Sequence, residues 1–276
     1  MGKEPIHMND KLSRVAYERR LDVLAMVYSS KSGHIGGSMS SMDILVSLYY
    51  EVMDSERIKS GAFDRDRFIM SKGHCAEALY AVLADRGFFK QQQLQSFTKF
   101  GTSLAEHPTA KVPGVEFATG SLGHGLSLGV GMAIGLTNTA AHVYVLMGDG
   151  EQAEGTVWEA AMSAAKFKLD NLTCIIDRNR LQISGGTEEV MPLDDLAAKY
   201  SAFGFHTVEC DGHDPAALAA ALRCRCEGKP VAVIANTVKG KGSPVMENIA
   251  DWHHLIPNEE QYGQIKTDLL AAEQGA

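Results

Sequence analysis

The stretch HVYVLMGDGE, residues 142–151, is an apolar run that ends in an acidic turn flanked by glycines. Its first part, His142–Met147, is short and rich in β-branched and aromatic side chains, which predicts a buried β-strand. A helical pattern follows the turn and runs from Trp158 to Lys168. A strand, a glycine-rich turn and a helix in this order place the turn at the carboxyl edge of a parallel sheet, where α/β proteins bind ligands. Because Asp-Gly is also a common turn dipeptide, this stretch alone indicates a site only weakly.

Three more apolar runs predict further strands, at Leu172–Asp177, His206–Cys210 and Val231–Thr237. Each run is followed by a loop and then by a helical pattern, which is typical of parallel strands covered by helices on both faces. The alternation of strand and helix predicts an α/β fold with a doubly wound, mostly parallel sheet. No repeat or linker divides the chain, so we expect residues 1–276 to form a single domain.

Helical spacing of apolar residues is clear in the first third of the chain. A helix is predicted from Lys11 to Val27, and another follows His74. Ser40 or Ser41 is expected to cap the helix that lies between these two, because serine is a favoured N-cap residue.

Composition and charge exclude several classes of protein. A formal net charge of −8 disfavours nucleic acid as a partner, because binding a phosphate backbone needs an excess of Lys and Arg. Five cysteines without a Cys-x-x-Cys pair are typical of a reducing compartment, and Cys224 and Cys226 are expected on a helix surface. The N-terminus lacks the apolar core of a signal peptide, and no apolar run is long enough to span a membrane. A cytoplasmic protein is therefore expected.

The second predicted strand strengthens the case for a site after the first. Asn179 follows Leu172–Asp177 and lies thirty residues after Asp149, an interval that one strand–helix–strand unit fills. The two side chains can therefore converge at adjacent strand ends. An Asp oxygen, an Asn amide oxygen, a backbone carbonyl near Leu181 and two phosphate oxygens would complete the octahedral oxygen shell that Mg²⁺ prefers.

The sequence G-D-G-E-x-x-E-G, followed by Asn after about thirty residues, closely resembles the thiamine diphosphate motif of transketolases. Five further segments are similar to that family in the same order: Ser32-Gly33-His34-Ile35-Gly36-Gly37, Ser71-Lys72-Gly73-His74, Glu106-His107-Pro108, Thr119-Gly120-Ser121-Leu122-Gly123-His124-Gly125 and Trp252-His253. The resemblance covers roughly residues 10 to 262 and corresponds to the first half of a full-length transketolase. It implies the thiamine diphosphate-binding fold and transfer of a two-carbon ketol unit from a ketose phosphate to an aldose phosphate.

The resemblance also implies roles for individual residues. The Mg²⁺ ligands, which could equally hold Ca²⁺ or Mn²⁺, would be Asp149, Asn179 and the carbonyl of Leu181. The residues that contact thiamine diphosphate would be His74, Gly120, Ser121, Leu122, Gly150, Glu154, Ile183 and His253. The catalytic residues would be His34, His74, His107 and His253, because neutral imidazoles can donate or accept protons at cellular pH. Glu154 and Glu159 would lie at a symmetric interface that links two active sites.

Some positions depart from the family pattern. His124 stands where many transketolases have Gln, His254 replaces a usual Gly, and Arg178 and Arg180 flank Asn179. The two guanidinium groups could meet phosphate or could pair with Asp177 and Glu188.

A larger difference is that the chain does not reach the family's pyrimidine-binding domain, which supplies the catalytic Glu. A C-terminal partner subunit is therefore expected, in an α₂β₂ assembly that is active only when both chains are present.

Two other interpretations of the residues stay open at this point. The G-D-G…N pattern also occurs in the α subunits of 2-oxo-acid dehydrogenases, and deoxyxylulose-phosphate synthases share the Gly-His step at His124. A non-catalytic regulatory homologue is the alternative from another class. A Rossmann dinucleotide site is disfavoured because no G-x-G-x-x-G follows the first strand.

Overall fold

Five parallel strands form the central sheet of the chain. The computed structural model describes residues 8–276. The sheet order is β1-β2-β3-β7-β6, and every neighbouring pair is parallel. The strands are β1 (Arg67–Met70), β2 (Val143–Gly148), β3 (Leu172–Arg178), β6 (His206–Asp211) and β7 (Val231–Asn236), and a separate two-stranded hairpin is formed by β4 (Leu181–Gln182) and β5 (Gly185–Gly186).

Ten α-helices surround the sheet in the described part of the chain. They are α1 (Met8–Ser30), α2 (Ile35–Ser47), α3 (Ser55–Lys59), α4 (Ala76–Asp85), α5 (His124–Gly135), α6 (Gly155–Lys166), α7 (Thr187–Val190), α8 (Leu196–Ala202), α9 (Pro215–Leu222) and α10 (Glu259–Gly275). Within residues 8–276, no helix combines the length and the apolar character needed to cross a bilayer.

The sheet separates two hydrophobic cores. One core packs α1, α2, α4 and α9 against one face, and the other packs α5, α6 and α8 against the opposite face. The central strands β2 and β3 are buried along their whole length, as expected of strands covered on both sides. The predicted α/β class, with a mostly parallel sheet and helices on both faces, is confirmed.

The strand register places the functional loops side by side. Gly148 of β2 is paired with Asp177 of β3, and Arg178 of β3 is paired with Asn236 of β7. The turn with Asp149 and the loop with Asn179 therefore leave the same edge of the sheet, as the spacing predicts.

Four predicted strands agree with the structure to within one residue at each end, whereas β1 was not predicted. The predicted cap at Ser40 or Ser41 is wrong, because α2 begins at Ile35 and both hydroxyls point inward to Asp177. Cys224 and Cys226 follow the end of α9 instead of lying on it.

Candidate active site

A cleft of about 340 Å³ opens at the carboxyl edge of β2 and β3. Its walls come from the loops after β1, β2, β3 and β7, together with the N-terminal part of α2. The lining residues are His34, Gly37, Lys72, His74, His107, Gly120, Leu122, Gly148, Asp149, Gly150, Glu151, Asn179, Leu181, Gln182, Ile183, Ser184, Lys239 and His253. The cleft thus brings together the residues predicted as metal ligands and the four predicted catalytic histidines.

Asp149 and Asn179 present oxygen atoms to this cleft from buried positions. The backbone N–H of Gly150 donates to Oδ1 of Asp149 over 2.7 Å, and that of Arg180 donates to Oδ2 over 2.5 Å. The amide of Asn179 donates from Nδ2 to the hydroxyl of Ser40, which fixes the direction of its Oδ1. Burial and the nearby charge of Asp177 raise the pKa of Asp149, so its carboxylate gains from a cation beside it.

Glycines leave room for a ligand against the backbone. Gly148 is buried and lines the cleft, yet a Cβ added there would meet no atom within 4 Å, so it would enter the cleft itself. Gly120 has φ of +146°, and its added Cβ would approach Cδ2 of His107 to 3.0 Å. Only glycine adopts that conformation without strain, and it lets the loop pass close to the imidazole.

Two lysines lie on the floor of the cleft, and both are buried. Lys72 pairs with Asp177, which also accepts hydrogen bonds from Ser40 and Thr237. Lys239 contacts no carboxylate within 4.0 Å in residues 8–276, and its Nζ lies 3.1 Å from Nδ1 of His253. Burial and the charge of Lys72 lower the pKa of Lys239 to about 8, so an anion in the cleft would stabilise its charged form.

The four histidines are close to one another. The ring centre of His34 lies 5.4 Å from that of His74, 5.8 Å from that of His107 and 5.4 Å from that of His253. Burial is the main cause that lowers the pKa of His34 to about 4 and that of His253 to about 3. Burial and the charge of Lys72 also hold the pKa of His74 well below its usual range. The rings of His34, His74 and His253 are therefore neutral at pH 7 and able to accept or donate a hydrogen bond.

Glu151 ties three loops of the cleft together. Its carboxylate accepts hydrogen bonds from the N–H of Gly123 over 2.7 Å, from the N–H of Gly148 over 3.0 Å and from the hydroxyl of Ser71. The side chain is buried, so these three bonds replace the water that it would otherwise bind. Glu151 thus holds the loops after β1 and β2 in place.

Some predicted site residues lie away from the cleft. Ser121 is exposed and lines a neighbouring surface hollow with His124. Glu154 and Glu159 are exposed, the first as the N-cap residue of α6 and the second on its surface. Ile183 lines the cleft but is 73% exposed.

Arg178 takes one of the two predicted alternatives. Its guanidinium donates to Glu188 over 2.6 Å, to Thr187 over 2.7 Å and to Asp149 over 3.3 Å. The expected pairing with Asp177 is wrong, because Lys72 occupies that carboxylate.

Several cleft residues were not predicted as site residues. Lys72 and Glu151 belong to motifs noted in the sequence, but their burial and partners decide their importance. The signal for Lys239 was its position in Lys-Gly-Lys-Gly directly after β7, at the same sheet edge as Asp149 and Asn179. Gln182 and Ser184 line the cleft through a hairpin that no pattern indicated.

The fold and the cleft define an α/β enzyme that binds an anionic, metal-associated cofactor at the carboxyl edge of its sheet. Residues 12–271 match the family model described as "Transketolase, thiamine diphosphate binding domain". The chain is 47% identical over 249 residues to one of the two chains of the apulose-4-phosphate transketolase of Phocaeicola vulgatus, with 89% of each sequence covered. It is 40% identical to the 6-deoxy-6-sulfo-D-fructose transketolase subunit of a Clostridium species, with 83% of this chain and 86% of that one covered.

A solved structure supports the same assignment. The transketolase from Leishmania mexicana superimposes with a TM-score of 0.84 at 30% identity, which covers 96% of this chain and 44% of that one. The chain belongs to the transketolase family. It matches the thiamine diphosphate-binding part, and the prediction of a transketolase subunit from a split enzyme is confirmed.

Proposed function

We propose that this chain is the α subunit of an α₂β₂ transketolase and that its cleft holds thiamine diphosphate and Mg²⁺. The active complex transfers a two-carbon ketol unit from a ketose phosphate to an aldose phosphate. The observation that carries the proposal is that Asp149 and Asn179 line one cleft with four histidines. The whole chain acts in this proposal as one diphosphate-binding domain.

The donor set of the cleft fits a magnesium ion. Asp149 offers a carboxylate oxygen, Asn179 an amide oxygen and Leu181 a carbonyl, which are the hard oxygen ligands that Mg²⁺ takes. Asp149 is 2% exposed, and its nearest cation is Arg178 at 3.3 Å. A divalent cation would therefore offset a buried charge that one long ion pair offsets only in part.

The other end of the cleft fits a diphosphate. The open space beside Gly148 allows close approach to the backbone, and the ammonium of Lys239 has no carboxylate partner among the described residues. Thiamine diphosphate supplies, when bound, the carbanion chemistry that amino acids cannot perform. In this proposal, His74, Gly120, Leu122, Gly150 and His253 contact the cofactor, whereas Ser121 and Glu154 contribute at most through their loops.

Hydrogen bonding fixes the proton on one of the histidines. The ammonium of Lys239 donates to Nδ1 of His253, so the neutral ring of His253 carries its proton on Nε2. His253 thus presents a donor that can stabilise an oxygen as negative charge develops on it. His34 and His107 are the proposed contacts to the hydroxyl groups of the sugar, and an unprotonated ring nitrogen there can accept a proton from them.

The cleft does not supply every group that the reaction needs. Its only carboxylates among the described lining residues are Asp149 and Glu151, and the latter is engaged in three hydrogen bonds. A carboxylate that activates the cofactor must therefore come from another chain. Met162, Phe167, Ile183 and Met191 are each more than half exposed and offer apolar surface for such a partner.

Reconstitution tests the proposal directly. The chain is purified alone and together with the product of a neighbouring gene that encodes a C-terminal transketolase subunit, and glycolaldehyde transfer is assayed with thiamine diphosphate and Mg²⁺. Activity is expected only in the mixture, with two copies of each chain by light scattering. Full activity of the isolated chain would contradict the partner requirement.

The donor sugar is tested with the same complex. The names of the two relatives point to apulose 4-phosphate and to 6-deoxy-6-sulfo-D-fructose. We propose a ketose phosphate, because the apulose-4-phosphate relative is 47% identical and the sulfosugar relative is 40% identical. A higher kcat/KM for the sulfosugar than for apulose 4-phosphate or xylulose 5-phosphate would reverse this assignment.

A further inference from the structure

Three side chains that could hold a metal meet at the mouth of the cleft, apart from Asp149 and Asn179. They are His34, Glu106 and His254, and their ligand atoms all lie within 4.8 Å of one another. The exposed fraction of the side chain rises outward, from 15% for His34 through 29% for Glu106 to 54% for His254. The group is thus anchored at its inner end and open to water at its outer end.

The spacing within this cluster matches the coordination shell of zinc. Oε1 of Glu106 lies 3.6 Å from Nδ1 of His34 and 3.1 Å from Nε2 of His254. Metal–ligand bonds of about 2.0–2.1 Å in a tetrahedron put neighbouring ligand atoms about 3.3–3.4 Å apart. The two distances fall on either side of that value, so small side-chain rotations would bring the three atoms around one ion.

The chemical states of the groups also suit a metal. Nδ1 of His34 is buried and has no hydrogen-bond partner in the described part of the chain. Burial and the neighbouring His254 lower the pKa of His34 to about 4, which leaves the neutral imidazole that binds metals. Hydrogen bonding to His254 and Ser32 keeps the pKa of Glu106 below its usual value in spite of burial, so this ligand is a carboxylate.

We propose that His34, Glu106 and His254 form a second metal site, which takes Zn²⁺ or a similar transition metal and leaves a fourth position to water. Two imidazoles and one carboxylate are a donor set that favours such metals over Mg²⁺. A metal on Nδ1 of His34 fixes the ring proton on Nε2, because a neutral imidazole carries one proton. Given the function proposed above, zinc removes His34 as a proton acceptor and inhibits ketol transfer.

Cobalt absorption tests binding without any assay of activity. The isolated chain is saturated with Mg²⁺ to fill the oxygen site and is then titrated with Co²⁺, whose visible bands are strong in tetrahedral and weak in octahedral surroundings. We expect strong bands that saturate at one Co²⁺ per chain and disappear on addition of Zn²⁺. The variants Glu106→Gln and His254→Gln should each weaken binding by at least about tenfold.

Matched controls separate this site from other histidines. His206→Gln makes the same change at an exposed histidine on edge strand β6 and should leave the cobalt bands unchanged. Circular dichroism of each variant checks that the fold is retained. Bands that are absent in the wild type, or that persist in both Glu106→Gln and His254→Gln, would overturn the proposed site.

Inhibition is measured separately on the reconstituted complex. The ratio of the rate with Zn²⁺ to the rate without it should be well below one for the wild type and near one for His254→Gln. A complex that lacks transfer activity in any condition contradicts the proposed function, while the cobalt titration still decides the metal site. Equal inhibition of the wild type and His254→Gln would overturn the inhibitory role.

Discussion

Glu77 is a fully buried carboxyl group that fixes the backbone of a catalytic candidate. Its Oε1 accepts the N–H of His34 over 2.8 Å, and its Oε2 accepts the hydroxyl of Ser38 over 2.9 Å. Gly33 passes so close that an added Cβ would clash with Oε1, and its φ of +132° favours glycine. The loop before α2 is thus built around this one side chain.

The pH dependence of stability reports on Glu77. Burial raises the pKa of Glu77 from 4.5 to about 7, so the folded chain binds a proton that the unfolded chain has lost. Below pH 4.5 both states are protonated and no stability is lost. As the pH rises from 4.5 to about 7, the free energy of unfolding falls by about 1.4 kcal/mol per pH unit, on the order of 3 kcal/mol in all.

Glu77→Gln removes this titration and keeps a group that can accept a hydrogen bond from His34 and donate one to Ser38. We expect urea denaturation to show the variant gaining stability relative to the wild type between pH 5 and pH 8. Glu209→Gln, at an exposed position on β6, is the control and should show no such change. A difference between Glu77→Gln and wild type that stays constant with pH would show that Glu77 is ionised throughout.

Individual site residues differ in how far the sequence predicts them. Asp149 and Asn179 were predictable because each follows an apolar strand, and parallel strands end at one edge. The pairing of Lys72 with Asp177 joins residues 105 positions apart, and no local pattern carries it. Lys239 likewise becomes a cleft residue only through burial beside Lys72 and His253. Burial and long-range pairing are properties of the folded chain.

The contact between helix α5 and strand β2 depends on a glycine. Gly129 is buried on α5, and an added Cβ would lie 2.4 Å from Cγ2 of Val145 and 3.5 Å from Cδ1 of Leu172. Gly131 lies on the same helix, is exposed, and has open space where its Cβ would be. The two positions separate close packing from helix propensity.

Substitution of each glycine by alanine should change stability in opposite directions. Gly131→Ala should raise the free energy of unfolding by about 0.5–1 kcal/mol, because glycine is a poor helix former. Gly129→Ala receives the same gain but forces α5 away from β2, so a net loss of about 1–3 kcal/mol is expected. Urea denaturation of both variants measures the difference. Equal stabilisation by both would show that the helix and sheet can separate without cost.

Elements were predicted well where one period dominates the sequence. The buried strands β2 and β3 are uniformly apolar, and their bounds agree closely with the prediction. The start of α2 was misplaced because Gly36-Gly37 is typical of a loop. In the structure, an added Cβ on Gly36 would lie 2.6 Å from the carbonyl oxygen of Trp252. Close approach to the loop after β7 requires glycine there, and sequence periodicity does not register such contacts.

At the scale of the whole molecule, the chain carries one end of a cofactor site. The floor of the cleft combines Asp149, Asn179 and the ammonium of Lys239, all suited to a metal diphosphate. Its outer rim ends in exposed Ile183. The chain alone should therefore recognise the diphosphate much better than the thiamine rings.

Thermal unfolding of the isolated chain tests this division. A ligand that binds only the folded state stabilises it by RT ln(1 + [L]/Kd), about 2.7 kcal/mol at a concentration of 100 Kd. Pyrophosphate with Mg²⁺ should raise the Tm by several degrees, whereas thiamine without phosphate should leave it unchanged. Asp149→Ala should abolish the Mg²⁺-dependent part of the rise, because it removes the proposed carboxylate ligand. Lys239→Met should weaken the effect of pyrophosphate itself.

Asp10→Ala, at an exposed position in the first turn of α1, is the matched control for loss of an acidic side chain. It should respond to pyrophosphate and Mg²⁺ as the wild type does. Equal stabilisation by thiamine and by Mg²⁺-pyrophosphate would mean that this chain holds both ends of the cofactor. In that case the missing carboxylate would be the only contribution required from the partner, because binding itself would be complete without it.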